Sequence, residues 1–183
     1  SFTVRHQYAH AGVVITASHN PSHDNGFKAY FADGAQLVPP HSEEVVKRYQ
    51  AITISELLPL LSSAAEESSW NILPTEDDLA YRAALEDAVL DPEILKKHAP
   101  KLVFTPIHGT GAIAAIPALW DHGVEVAVVD EQNQHDPNFS TVISPNPENP
   151  EALKKGIAVA VKTKADLVLA SDPDCDRIGV AVR

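Results

Sequence analysis

The stretch Lys101–Val129, KLVFTPIHGTGAIAAIPALWDHGVEVAVV, decides the fold class. Leu102-Val103-Phe104-Thr105 is a continuous apolar and β-branched run, the pattern of a strand buried on both faces. Pro106 to Gly111 reads as a tight loop. Ala112 to His122 predicts a helix closed by Gly123, with Pro117 as a point of kinking. Val124 to Val129 is the next strand. Strand, glycine loop, helix, strand is the unit from which a mainly parallel α/β sheet is built.

Toward the C-terminus the alternation continues. Asp136 to Pro150 holds four prolines and three asparagines and reads as an irregular loop. Glu151 to Lys164 predicts a helix whose basic end suits its dipole. Asp166 to Ser171 and Ile178 to Val182 predict strands joined by Asp172 to Arg177. Toward the N-terminus, Ala11 to Ala17 predicts a buried strand that ends in a polar loop from Ser18 to Gly26. Phe27 to Phe31 and Gln36 to Val38 predict two more strands, separated by the turn Asp33-Gly34. Ser42 reads as a helix N-cap, with Glu43 and Glu44 in the first turn. Residues 51–78 lack clear periodicity, and 62–69 is small, polar and acidic. Asp77 to Val89 predicts a helix, and Asp91-Pro92 opens another short one.

A chain of 183 residues suits one ordinary domain or two small ones. Its formal net charge of -11 argues against nucleic acid or an anionic membrane as partner. A local cationic site for a small phosphorylated substrate is compatible with that charge. The single cysteine, Cys175, allows no internal disulfide and implies no oxidising compartment. With no run of 18 apolar residues and no signal peptide, a cytoplasmic location is expected. The chain opens at Ser1 and has no methionine, and it reads as a piece of a longer protein.

Three loops follow predicted strands closely, where open α/β sheets bind ligands. Thr16-Ala17-Ser18-His19-Asn20-Pro21 runs on to Asn25-Gly26-Phe27-Lys28. Ser18 in a rigid turn suits a nucleophile or phosphate carrier, and equally a simple turn serine. Lys28, on the returning strand, could balance phosphate charge or move a proton from a hydroxyl. In Asp172-Pro173-Asp174-Cys175-Asp176-Arg177, three carboxylates at alternate positions fall on one side of an extended segment. Crowded anions call for a hard cation, and Mg²⁺ with oxygen ligands is the natural one; the bland reading is a solvated acidic turn. Arg177 beside them offers a fork for phosphate or carboxylate. His108-Gly109-Thr110-Gly111 opens a helix and could receive an anion, though His108 is as suited to holding the loop together. Cys175 sits among anions that disfavour its thiolate, and Pro21 between His19 and His23 argues against a helical zinc pair.

Taken together, these residues resemble the α-D-phosphohexomutase superfamily. Thr16 to Pro21 with Asn25 to Lys28 is similar to its phosphoserine signature, and Asp172 to Arg177 is similar to its magnesium loop. The resemblance implies that Ser18 carries phosphate, and that Asp172, Asp174 and Asp176 hold Mg²⁺ with a phosphate oxygen on Ser18 as a further ligand. It implies Lys28 as a general base and His19, His108 and Arg177 as substrate or phosphate contacts. It implies two three-layer α/β/α domains with mainly parallel mixed sheets. Residues 1–78 would be the later part of an incomplete first domain, and 79–183 the second. The activity implied is transfer between hexose 1-phosphate and hexose 6-phosphate through a hexose bisphosphate. Pro173, Cys175 and Ser144-Pro145-Asn146-Pro147-Glu148 look closer to the phosphoglucomutase and phosphopentomutase branch than to phosphomannomutases. The partners implied are the sugar phosphates and the remaining domains of a longer enzyme. By itself this stretch is expected to lack substantial mutase activity; an aspartyl phosphatase and a non-catalytic metal-binding module are the competing readings.

Overall fold

The computed structural model describes residues 1–62 and 71–183. Past Ser62, the small acidic run at 62–69 lies outside the described residues. The chain forms two compact units: Ser1–Val14 with Lys28–Tyr81, and Ile15–Phe27 with Arg82–Arg183.

The first unit contains α1 (Phe2–His6) and most of strands β1 (Ala11–Ile15) and β2 (Phe27–Phe31), which form a two-stranded sheet. Helices α2 (His41–Ala51) and α3 (Ile54–Ser62) follow, then α4 (Thr75–Leu85), whose residues to Tyr81 belong here. Val4 is buried, and the Phe2 ring lies 5.2 Å from His6 and 5.3 Å from Tyr81. β1 departs from expectation: Val13, Val14 and Ile15 are 55%, 41% and 67% exposed. A two-stranded sheet has too few neighbours to bury an apolar strand.

Other local expectations also change. Gln36 to Val38 is not a strand but a single bridge from Gln36 to Tyr30, cut short by Pro39-Pro40. Ser42 is not the cap of α2, because the Glu44 N–H already donates to the Pro40 carbonyl and the helix starts at His41. α3 occupies a stretch without apparent periodicity and carries Pro59 inside it. Its start had a signal: the Thr53 N–H and hydroxyl donate to Glu56 Oε2 at 2.7 and 2.8 Å, the link of a Thr-x-x-Glu capping box.

The second unit matches the expected architecture. After α5 (Pro92–His98) come β3 (Lys101–Thr105), α6 (Gly111–Asp121), β4 (Glu125–Val128), α7 (Lys154–Thr163), β5 (Leu167–Ser171) and β6 (Ile178–Val182). The sheet order is β4-β3-β5-β6. β3 runs parallel to both β4 and β5, and β6 closes the edge antiparallel to β5, with Ser171 opposite Ile178. Because side chains alternate along a strand, β3 feeds two cores. Leu102 and Phe104 pack with Ile116 of α6 on one face. Val103 packs with Val168 against Val159 and Ala160 of α7 on the other. Each such buried side chain contributes roughly 1.5–3 kcal/mol. Gly156 lets α7 lie close, since a Cβ there would fall 2.7 Å from Val168 Cγ1. Helix, sheet and helix make three layers, and the ends of β3 and β5 present the loops that carry the chemistry.

Candidate active site: a serine turn against an acidic loop

The loop after β5 is the short connection of a hairpin. The Cys175 N–H donates to the Asp172 carbonyl at 3.0 Å, and Cys175 itself takes φ 60°. Asp172 is fully buried. Its Oδ1 accepts the N–H groups of Asp176 and Arg177 at 3.1 and 3.0 Å. Burial pushes its carboxyl above the ordinary range, and Asp174 adds to this, while the bonds from Ser18 and Arg177 oppose it. Asp172, Asp174 and Asp176 place carboxylate oxygens within 4.8 Å of one another. The donor set, three hard oxygens around one point, fits a hard divalent cation. Cys175 is no competing nucleophile: desolvation raises its thiol pKa, and the three aspartates add to that.

The serine turn belongs to the same unit. Ser18 adopts φ 55°, a left-handed conformation that costs a non-glycine residue about 1–3 kcal/mol. The Thr16 hydroxyl accepts the Ser18 N–H at 2.9 Å and helps to hold that conformation. Gly26 closes the loop at its far end, where a Cβ would fall 1.8 Å from the Thr16 carbonyl oxygen. The Ser18 hydroxyl then donates to Asp172 Oδ2 at 2.9 Å. Thr16 Oγ1 donates to Asp174 Oδ2 at 3.4 Å. His19 bridges the remaining gap, with Nδ1 3.2 Å from Ser18 Oγ and Nε2 3.1 Å from Arg177 Nη1. Arg177 also faces Glu148 Oε1 at 3.7 Å.

Ser18, His19, Asp172, Asp174, Asp176 and Arg177 thus come together. Lys28 lies partly buried on β2, in the first unit. His108 is held within its own loop. It is buried, with Nδ1 at 2.8 Å from the Gln134 carbonyl and Nε2 at 2.7 Å from the Thr141 hydroxyl. Both ring nitrogens serve its own loop. That loop meets the acidic one through backbone: the Thr110 N–H donates to the Pro173 carbonyl at 3.0 Å. Thr16 and Glu148 are members of the cluster to which the sequence assigned no role. A hydroxyl residue two before a strained serine is the pattern of a side-chain turn, and it could have flagged Thr16.

Residues 80–183 match the family described as phosphoglucomutase/phosphomannomutase, alpha/beta/alpha domain II, and residues 1–56 match domain I. The chain belongs to the phosphoglucomutase/phosphomannomutase family. A phosphoribomutase of Saccharomyces cerevisiae is 35% identical over the whole chain, which covers 31% of that relative. A phosphoglucomutase of Staphylococcus aureus is also 35% identical, with 33% of its length covered. The fold resembles that of a solved candidate phosphomannomutase from Thermus thermophilus, with TM-score 0.74 and 28% identity over 99% of this chain and 38% of the other. The chain spans about a third of the length of the phosphoglucomutase/phosphomannomutase relatives it matches. Among its described residues, no helix is long and apolar enough to cross a membrane.

Proposed function

We propose that this chain is the phosphoryl-transfer portion of a phosphohexomutase, with glucose 1-phosphate and glucose 6-phosphate as the pair interconverted. The observation that carries the reading is the Ser18 hydroxyl 2.9 Å from Asp172, the buried member of a three-carboxylate cluster. A nucleophile in a strained turn, set against carboxylates suited to a cation, is an arrangement for moving phosphate.

In this reading Ser18 carries the phosphoryl group. A hydroxyl of the hexose phosphate attacks phosphorus, the bond to Ser18 Oγ breaks, and a hexose bisphosphate forms. Its other phosphate then returns to Ser18. Asp172, Asp174 and Asp176 would hold Mg²⁺, which when bound neutralises charge on the transferring group. Arg177 and His19 hold the serine turn to the acidic loop. Lys28 takes the proton of the attacking hydroxyl, a role proposed from its place in the signature Asn25-Gly26-Phe27-Lys28. His108 is read as a residue that holds its loop, which its two ring-nitrogen bonds support. Residues 1–78 and 79–183 are taken as parts of domains I and II, and sugar recognition would come from sequence equivalent to the rest of the relatives. A cytoplasmic enzyme is expected.

A pentose phosphate is the second reading, favoured by the phosphoribomutase among the relatives. Incubation with glucose 1,6-bisphosphate and Mg²⁺, followed by intact and peptide mass spectrometry, tests the proposal. One phosphoryl group on Ser18, absent from Ser18→Ala, is the expected result. Phosphate on an aspartate would establish the phosphatase reading instead, and no phosphate at all would leave a metal-binding module. Comparing ribose and glucose phosphates as acceptors, with sequence equivalent to the rest of the relatives present, separates the two sugar readings.

A further inference from the structure

The hydrogen bonds about His19 have only one consistent direction. A guanidinium has donors and no acceptor. Arg177 Nη1, 3.1 Å from His19 Nε2, must therefore donate, and Nε2 must present its lone pair. In a neutral ring the proton then sits on Nδ1. Nδ1 lies 3.2 Å from Ser18 Oγ. The Ser18 hydroxyl spends its own proton on Asp172 Oδ2 at 2.9 Å. It is free to accept from Nδ1 through a lone pair. The charge around Arg177 supports this orientation: Glu148 Oε1 stands 3.7 Å from Nη1 and Asp176 Oδ1 4.0 Å from Nε.

We infer that Arg177 fixes His19 as the Nδ1–H tautomer, so that His19 is a hydrogen-bond donor to Ser18 Oγ and not a base for its proton. This rests on the phosphoserine reading and adds the chemistry of its bridging oxygen. When phosphate leaves Ser18, the Oγ–P bond breaks and its electron pair stays on Oγ. The new bond forms between phosphorus and the acceptor hydroxyl oxygen, which loses a proton. That proton goes to Lys28, which releases one to water, and Oγ takes one up from water, so protons balance. Negative charge developing on Oγ meets the Nδ1–H of His19, a donor already in place. In the reverse direction the same N–H leaves the Oγ lone pair that attacks phosphorus unprotonated.

Nitrogen-detected correlation spectra of the unphosphorylated protein at about pH 8, where an ordinary imidazole is neutral, report the tautomer directly. The signal lost in His19→Asn identifies the residue. Nδ1–H is expected, with Arg177→Gln shifting the ring toward the Nε2–H form. An Nε2–H ring in the unsubstituted protein overturns the inference, as does a tautomer unmoved by Arg177→Gln. The second measurement is single-turnover transfer from phosphorylated Ser18 to a hexose phosphate. An asparagine amide stands near the place of Nδ1 and a glutamine amide near that of Nε2. His19→Asn should stay within about tenfold, while His19→Gln and His19→Ala lose about 100-fold, the scale of one preorganised donor. Glutamine outperforming asparagine refutes it. A protein whose Ser18 never accepts phosphate overturns the proposed function, and the spectra then decide the tautomer alone.

Discussion

Gly109 lies against the backbone of Pro173: a Cβ on Gly109 would fall 2.3 Å from Pro173 Cα and 2.5 Å from its carbonyl oxygen. The neighbouring Thr110 bonds that same carbonyl through both its N–H and its hydroxyl, at 3.0 and 3.1 Å. The glycine loop after β3 therefore sets the position of the acidic loop after β5. Gly109→Ala must move backbone, so it is expected to destabilise the protein by roughly 1–3 kcal/mol in urea unfolding. It should also weaken Mg²⁺ binding at least tenfold by calorimetry. Unchanged affinity would show that the two loops are mechanically independent.

Removing the cation should read out as stability. Asp172 is a carboxyl buried at a cost, and a cation shared by the three carboxylates would offset it. At Mg²⁺ concentrations 100 times the dissociation constant, binding to the folded state adds about 2.7 kcal/mol. Chelation is expected to lower the melting temperature, and Asp174→Asn to abolish most of the difference. Equal melting with and without Mg²⁺ would count against the cation site.

The fully buried Gln132 is the hinge of a polar network under the His108 loop. It accepts from Thr105 Oγ1 at 2.7 Å, donates to Thr141 Oγ1 at 3.1 Å, and its carbonyl takes the His108 N–H at 2.7 Å. Gln132→Leu keeps much of the volume but leaves the buried hydroxyl proton of Thr105 without its acceptor, while the hydroxyl oxygen still accepts the Ile107 N–H at 3.2 Å. A loss of about 1–3 kcal/mol is expected from equilibrium unfolding. Thr105→Val also takes the acceptor from the Ile107 N–H, so the test is a double-mutant cycle: the two losses should be less than additive, and full additivity would argue against the hydrogen bond as the cause.

Asp136 gives the irregular loop a pH dependence. The Ser140 hydroxyl and N–H, then the Asn138 N–H, hold its carboxyl below the ordinary value. A depressed folded pKa means stability present above the unfolded value and lost as pH falls through the folded one. Wild type should therefore exceed Asp136→Ala in stability at neutral pH, and the gap should close in acid, below about pH 4. A gap that widens in acid would reverse the assignment.

The legible parts of this molecule were those where one short segment carries its own instruction. β3 and β5 are continuous runs of Leu, Val, Phe and Ala, and burial on two faces leaves no other reading. The acidic loop announced itself by composition, because three aspartates at alternate positions have few uses. What stayed hidden depends on partners far away in sequence. The saturation of His108 comes from Gln134 and Thr141, 26 and 33 residues on. The direction of the His19 bonds comes from Arg177, 158 residues away. α1 spans five residues, too few for a period to show. α3 was masked by Pro59, and its capping pair Thr53 and Glu56 outweighed the apparent disorder of the pattern.

The hairpin of β5 and β6 has a consequence for how this sequence can drift. Ser171 and Ile178 are paired, and six residues lie between them, 172–177. Inserting or deleting one would slide β6 by a position and turn its inward Gly179 outward, away from the Pro147 backbone that a Cβ there would strike at 2.5 Å. Surface loops ordinarily vary in length before they vary in chemistry. This one should do the opposite across homologues, exchanging Pro173 and Cys175 for other residues while its residue count stays constant.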